Sequence, residues 1–254
     1  MVLVIDIGNT NIVIGGFDKK KVLFKERIST NHIATDLEYA VMIKTALEMN
    51  GFMPHDIEGA IISSVVPSVT NTVSDAINKF CSVKAMLVGP GLKTGLSIMI
   101  DNPAQLGSDL VVAAVAGINE YPVPLIIVDM GTATTYSVID KNKNYLGGLI
   151  TTGMSVSTDA LVTKTSQLPK ISFDTPKKII GKNTIDSIKS GIMYSNACSI
   201  DGISQRIEEE LGEKCTVVVT GGLAKLVTPL CKRKVIYDDD LLLKGLMQIY
   251  YKNA

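Results

Sequence analysis

Apolar and polar positions fall into two runs of short segments, and the second run repeats the order of the first. In the first, residues 2–7, 12–17 and 22–29 are dense in Val, Ile and Phe with stretches of period-two spacing, as strands require, and Asp18-Lys19-Lys20-Lys21 is a polar turn. Residues 36–49 shift to helical spacing, with Leu37, Ala40, Val41 and Leu47 on one side. A buried strand at 59–66 is broken by Pro67, and a helix at 68–80, a strand at 85–88 and a helix at 108–118 follow. In the second run, residues 125–129, 133–139 and 145–151 read as three strands, with Asn142-Lys143 as the turn. A helix at about 154–166 follows, and then Ile185, Ile188, Ile192, Ile200, Ile203, Ile207 and Leu211 keep helical steps. A strand at 215–220 and a helix at 239–252 close the chain.

The repeat is clearest at two turns. VIDIGNTN sets Asp6 at a strand end before Gly8, Asn9, Thr10 and Asn11, and IIVDMGTAT sets Asp129 before Gly131 and Thr132. The two aspartates are 129 − 6 = 123 positions apart, close to half the chain. A repeat of that size means duplicated domains rather than a solenoid. Each half is a three-strand meander followed by alternating helix and strand, so the expected fold class is α/β, a mixed sheet flanked by helices, occurring twice. The expected domains are 1–118 and 119–254, parted where NEYPVP breaks the helix, with a cleft between them.

Composition narrows the function. Of 254 residues, 46% are hydrophobic and 20% charged, enough for full cores. A formal net charge of 0 gives no ground for a nucleic-acid partner or an anionic membrane surface, and Lys232-Arg233-Lys234 reads as a solvated loop. No apolar stretch approaches the roughly 18 residues of a membrane span, and the N-terminus lacks a basic leader. Cys81, Cys198, Cys215 and Cys231 have no paired spacing, and His32 and His55 complete no zinc pattern with them. A reduced, cytoplasmic protein is expected.

A Gly-Asn turn between apolar strands is, taken alone, a hairpin signal. Its duplication, each time behind an aspartate, points to a ligand held by turns. Gly8 admits a bulky anion, Asn9, Thr10 and Asn11 supply polar donors, and backbone N–H groups complete the concavity. Asp6 is a hard oxygen ligand of the kind Mg²⁺ takes in ones and twos. Thr132, Thr134 and Thr135 supply hydroxyls from the second turn. The ligand implied is a nucleotide polyphosphate, although neither GxxxxGK[ST] nor GxGxxG occurs in the chain.

Four stretches in order then resemble one family: Asp6–Gly8–Asn9–Thr10; Ser63-Ser64-Val65-Val66-Pro67; Asp129–Gly131–Thr132–Ala133–Thr134–Thr135; and Thr220-Gly221-Gly222-Leu223-Ala224. Together they resemble type III pantothenate kinase, of the actin-like and sugar-kinase ATPase superfamily, over essentially the whole chain. The resemblance implies two tandem ribonuclease-H-like domains and the ATP-dependent conversion of pantothenate to 4'-phosphopantothenate, the first step of coenzyme A biosynthesis. It implies that Asp6, Ile7, Gly8, Asn9, Thr10, Asn11, Ile12 and Val13 bind the ATP phosphates with Mg²⁺, and that Thr132 also contacts ATP. It further implies that Asp129 holds a monovalent cation, K⁺ or NH4⁺. Gly107, Ser108, Asp109 and Leu110 occupy the family's substrate motif, with Asp109 as proton acceptor. Thr184 matches a substrate-binding threonine contributed across a homodimer interface. No nucleic acid or membrane partner is implied.

One departure bears on substrate choice. The family's substrate motif usually reads Gly-Ala-Asp-Arg, and here it is Gly107-Ser108-Asp109-Leu110. A guanidinium can hold a carboxylate through two parallel hydrogen bonds, and leucine cannot. The alternative reading is therefore a catalytically altered relative, either a kinase for a non-acidic alcohol or a nucleotide-binding regulator. Taken alone, Ser108 and Thr184 are also ordinary residues with which to begin a helix.

Overall fold

The computed structural model describes residues 1–19 and 21–254, so Lys20, in the turn expected at 18–21, lies outside the described residues. In chain order the elements are β1 (Val2–Ile7), β2 (Asn11–Asp18), β3 (Lys21–Ser29), α1 (Asp36–Met49), β4 (Gly59–Ser64), α2 (Pro67–Cys81), β5 (Met86–Leu87), β6 (Ser97–Ile98) and α3 (Ser108–Glu120). Then follow β7 (Leu125–Met130), β8 (Ala133–Ile139), β9 (Asn144–Thr152), α4 (Met154–Thr163), α5 (Thr184–Leu211), β10 (Thr216–Thr220), α6 (Ala224–Val227), β11 (Ile236–Tyr237) and α7 (Leu241–Asn253).

These form two units, one of Met1–Leu96, Asn102–Ala116 and Asp240–Ala254, the other of Ser97–Asp101 and Gly117–Asp239. The division departs from 1–118 and 119–254 chiefly at the closing helix. The stripe of Leu243, Leu246 and Ile249 on α7 is buried, and the helix lies on β1 and β4 of the first unit. A repeat in sequence says which segments correspond; it does not say which sheet receives the last helix.

The first unit's sheet has the order β3-β2-β1-β4-β5. β1 runs antiparallel to β2 and parallel to β4. β4 is buried along nearly its whole length, as suits a parallel strand covered on both faces. Leu3, Ile5, Ile7, Ile12 and Ile14 form one face of the core and meet Tyr39, Ile43 and Leu47 of α1 and Val69, Val73 and Ile77 of α2. Helix α1 begins in a capping box. The Thr35 hydroxyl accepts the Glu38 N–H while Glu38 accepts the Thr35 N–H, worth about 1 kcal/mol.

The second unit repeats the order as β9-β8-β7-β10-β11 and adds β6 outside β9. Even the irregularities correspond. The β2–β3 ladder shifts at Gly16/Phe17 and the β8–β9 ladder at Val138/Ile139, a step of 138 − 16 = 122. Ile126, Val128, Met130, Tyr136 and Val138 face Met193, Ala197 and Ile200 of α5 and Ala224 and Val227 of α6. Glu208 fastens the far end of α5: buried at 6% exposure, it accepts from Lys214, the Cys215 N–H and Arg233. Burial pushes its carboxyl up, but these donors outweigh it and hold it below the usual range. Arg233 is thereby a structural counter-ion rather than part of a solvated run.

Candidate functional site

Ile7 stands opposite Ile12 where β1 meets β2, and this leaves residues 8–11 as a four-residue turn closed by the Gly8 N–H donating to the Asn11 carbonyl at 3.0 Å. Asn9 and Thr10 are exposed at its tip. Ile7 and Ile12 are fully buried, so of the stretch 6–13 these two offer a ligand only backbone. Thr30, just beyond β3, holds the turn from the other side. Its N–H donates to the Thr10 carbonyl at 3.0 Å and its hydroxyl to the Gly8 carbonyl at 2.6 Å. No sequence pattern singles out Thr30, because it acts across a strand pair.

Asp6 lies beside Ser63 in the parallel β1–β4 register, so both side chains share one sheet face. Ser63 is fully buried, and its hydroxyl meets the Ser108 hydroxyl at 3.1 Å. Ser108 also donates to the Ser64 carbonyl at 2.8 Å and accepts the Ser64 N–H at 3.1 Å. The opening residue of α3 is thus fastened to the end of β4 and does not spend its hydroxyl on a cap. Ser63 and Ser64 thereby seat the helix that carries Asp109 next to the strand that carries Asp6. Asp109 is half-buried, with Oδ1 accepting the Leu110 N–H at 2.8 Å and folding over Gly107. Burial raises its pKa above the ordinary 3.8, only partly offset by the backbone N–H groups of Leu110 and Asp109. A carboxylate made more basic in this way suits proton acceptance.

The second hairpin is not a copy of the first. Met130 stands opposite Thr134, one residue less than from Ile7 to Ile12, and Gly131 N–H donates to the Ala133 carbonyl at 3.0 Å. Asp129 has Thr135 beside it on β8 and Thr220 on β10, which places three oxygen-bearing side chains on one face at the strand ends. Thr134 points the other way. It shares the face of Met130, is 3% exposed, and its hydroxyl has no hydrogen-bond partner, so it is removed from the donors expected of this turn. Among the described residues no group of three or more His, Cys, Asp or Glu could hold a metal ion. The donor sets still fit the ions expected. Mg²⁺ usually reaches protein through one or two carboxylates and otherwise keeps water and phosphate oxygens, as Asp6 allows. Asp129 with threonine neighbours is an oxygen set suited to a monovalent cation.

Thr184 opens α5, but the cap is Asn183, whose side chain accepts the Asp186 N–H at 2.9 Å. Thr184 is exposed and lines an open groove of about 820 Å³ with Lys182, Ser157, Ser195 and Asn196.

A sequence profile described as type III pantothenate kinase matches residues 2–206. A type III pantothenate kinase of Bacillus cytotoxicus is 44% identical over 254 residues, covering 100% of this chain and 97% of the relative. The chain belongs to the type III pantothenate kinase family. The profile match ends inside α5, and the Bacillus pantothenate kinase extends the likeness through β10, β11 and α7. Solved structures agree in fold. A protein of Campylobacter jejuni described as a Baf family transcriptional activator superposes with TM-score 0.60 at 20% identity, covering 98% of both chains. Component A of (R)-2-hydroxyglutaryl-CoA dehydratase from Acidaminococcus fermentans superposes with TM-score 0.56 at 17% identity, covering 98% of this chain and 96% of the other. At such identities the likeness carries the fold alone, two mixed sheets flanked by helices. No helix among the described residues is long and apolar enough to cross a membrane.

Proposed function

We propose that this pantothenate kinase family member transfers the γ-phosphoryl group of ATP to the primary hydroxyl of pantothenate. Besides family membership, the observation that carries this reading is the contact of Ser63 with Ser108, which seats the Asp109 helix beside the Asp6 strand and its four-residue turn. Asp109 takes the proton of the acceptor hydroxyl. The freed oxygen forms its bond to the γ-phosphorus as the bond from that phosphorus to the β–γ bridging oxygen breaks, and ADP leaves. The turn at 8–11 holds phosphate oxygens through peptide N–H groups and the Asn9, Thr10 and Asn11 side chains, with Asp6 as the Mg²⁺ carboxylate. Mg²⁺ and a monovalent cation, when bound, neutralise the phosphate charge that no lysine or arginine in this turn meets. Thr132 is assigned to ATP, Asp129 to the monovalent cation, and Thr184 with Gly107, Ser108 and Leu110 to the acceptor.

A homodimer belongs to this reading. Ile179, Ile180 and Ile185 are between 47% and 76% exposed, an apolar set in the second unit near Thr184 in sequence. The deciding experiment is a coupled ADP-release assay with Mg-ATP and K⁺, comparing pantothenate, pantetheine and no acceptor. ADP release that needs an acceptor, occurs with pantothenate and vanishes in Asp109→Asn is the expected result. Release indifferent to any acceptor, or unchanged in Asp109→Asn, defeats the assignment.

A further inference from the structure

We infer that Thr30 is a positioning residue for nucleotide binding: its hydroxyl holds the Gly8 carbonyl outward so that the turn's peptide N–H groups face the phosphates. The inference rests on the reading of 8–11 as the phosphate turn. A peptide unit is planar, with its C=O and N–H pointing in opposite directions. Fixing the Gly8 carbonyl therefore fixes the Asn9 N–H on the far side of the same plane, and fixing the Thr10 carbonyl does the same for Asn11. Thr30 holds both carbonyls, one with its hydroxyl at 2.6 Å and one with its N–H at 3.0 Å. Two carbonyl oxygens that would repel a polyphosphate are turned away and occupied by donors.

The duplication supplies an internal comparison. The residue corresponding to Thr30 is Gly153: Ser29 stands opposite Asn11 as Thr152 stands opposite Ala133, and Thr30 and Gly153 come next. The backbone half of the contact is kept, with the Gly153 N–H donating to the Thr132 carbonyl at 3.1 Å. The side-chain half is absent, and a Cβ there would overlap both that carbonyl oxygen and the Gly131 carbonyl oxygen. So the N–H contact belongs to the fold as such, being found in both units. The hydroxyl contact belongs only to the longer turn, the one read as the phosphate turn.

The test uses the full chain, wild type, Thr30→Val, Thr30→Ala and Thr30→Ser, with ADP and adenosine as calorimetric ligands. Valine keeps the branched shape and removes the hydroxyl, alanine guards against misfit of the second methyl, and serine restores the donor. Val and Ala are expected to weaken ADP about tenfold while adenosine changes by less than about twofold, and Ser is expected to restore ADP to within about threefold. The KM for ATP follows ADP, and the KM for pantothenate does not move. Amide spectra of ¹⁵N-labelled wild type, with and without ADP, separate the role of Thr30 from that of the turn. Shifts at Asn9 and Asn11 with ADP affinity unchanged in Val and Ala overturn the role of Thr30 and leave the turn as the phosphate site. ADP binding without shifts at those amides overturns the phosphate turn itself. Equal weakening of ADP and adenosine, unrescued by serine, marks a structural lesion and overturns positioning.

Discussion

At the scale of single residues, the same feature that suits Asp109 to proton acceptance costs stability. Its pKa is raised by burial, so its ionised form is less favoured folded than unfolded. Folding then binds protons as pH rises from the ordinary 3.8 into the raised range, and stability contributed by the protonated form is lost across that window. Asp109→Asn is expected to lower kcat by about 10²–10⁴ and to raise stability at pH 7 by about 1 kcal/mol. The gain is expected to shrink as pH falls through the raised pKa of the wild-type group and that group takes up its proton. Thermal melts of both proteins across pH check the sign, and a variant that is less stable at pH 7 would show the carboxylate to be structural. The neighbour Leu110 sets a second expectation. Its backbone N–H serves Asp109, while its side chain has no charge to offer pantothenate's carboxylate. Wild type is therefore expected to have a raised KM for pantothenate and little preference over pantetheine, and Leu110→Arg to lower the pantothenate KM by about tenfold through a charge-assisted pair. Steady-state kinetics with the two acceptors decides, and an unchanged pantothenate KM in Leu110→Arg counts against the role of this position.

At the scale of elements, the site depends on how closely helices approach the sheet and each other. Gly245 on α7 sits against α3, and a Cβ there would overlap the Val112 carbonyl oxygen. Gly245→Ala must push the two helices apart, at about 1–3 kcal/mol, and α3 is the helix that carries Ser108 and Asp109. The expected result is a lower melting temperature together with a fall in kcat larger than the change in the KM for ATP, whereas a destabilised variant of normal kcat would separate α7 from the chemistry. Strand periodicity makes the two meanders and their register legible in advance, because alternation fixes which side chains share a face. Helical spacing is legible too, but not its phase in α1: Leu37 and Val41 are 59% and 57% exposed, while Tyr39, Ile43 and Leu47 fill the core. The two-residue strands β5, β6 and β11 are defined by pairing rather than by local pattern, and of these only β5 falls within an expected strand. Asp6 and Asp109 can be named from sequence, but the Ser63–Ser108 contact and the hold of Thr30 on Gly8 span 45 and 22 residues, which no local motif records.

At the scale of the whole molecule, the exposed isoleucines bear on assembly. A surface apolar set is ordinary when scattered, but Ile179 and Ile180 are adjacent, 62% and 76% exposed, and precede Thr184 by only a few residues. If a second copy covers them, assembly and acceptor binding share one stretch of chain, so breaking the first disturbs the second. A charge placed in a buried dimer interface costs several kcal/mol unless paired, enough to shift a micromolar or tighter dimer to monomer at assay concentrations. Ile180→Glu is accordingly expected to sediment as a monomer of 27.2 kDa where wild type sediments at twice that mass. It is expected to keep its affinity for ADP, which the proposed function assigns to the first unit's turn, while its KM for pantothenate rises by about tenfold or more. Sedimentation velocity beside the two titrations separates the possibilities. A wild-type monomer with full activity removes the dimer from the mechanism, and a monomeric Ile180→Glu with unchanged pantothenate KM confines Thr184 to its own subunit.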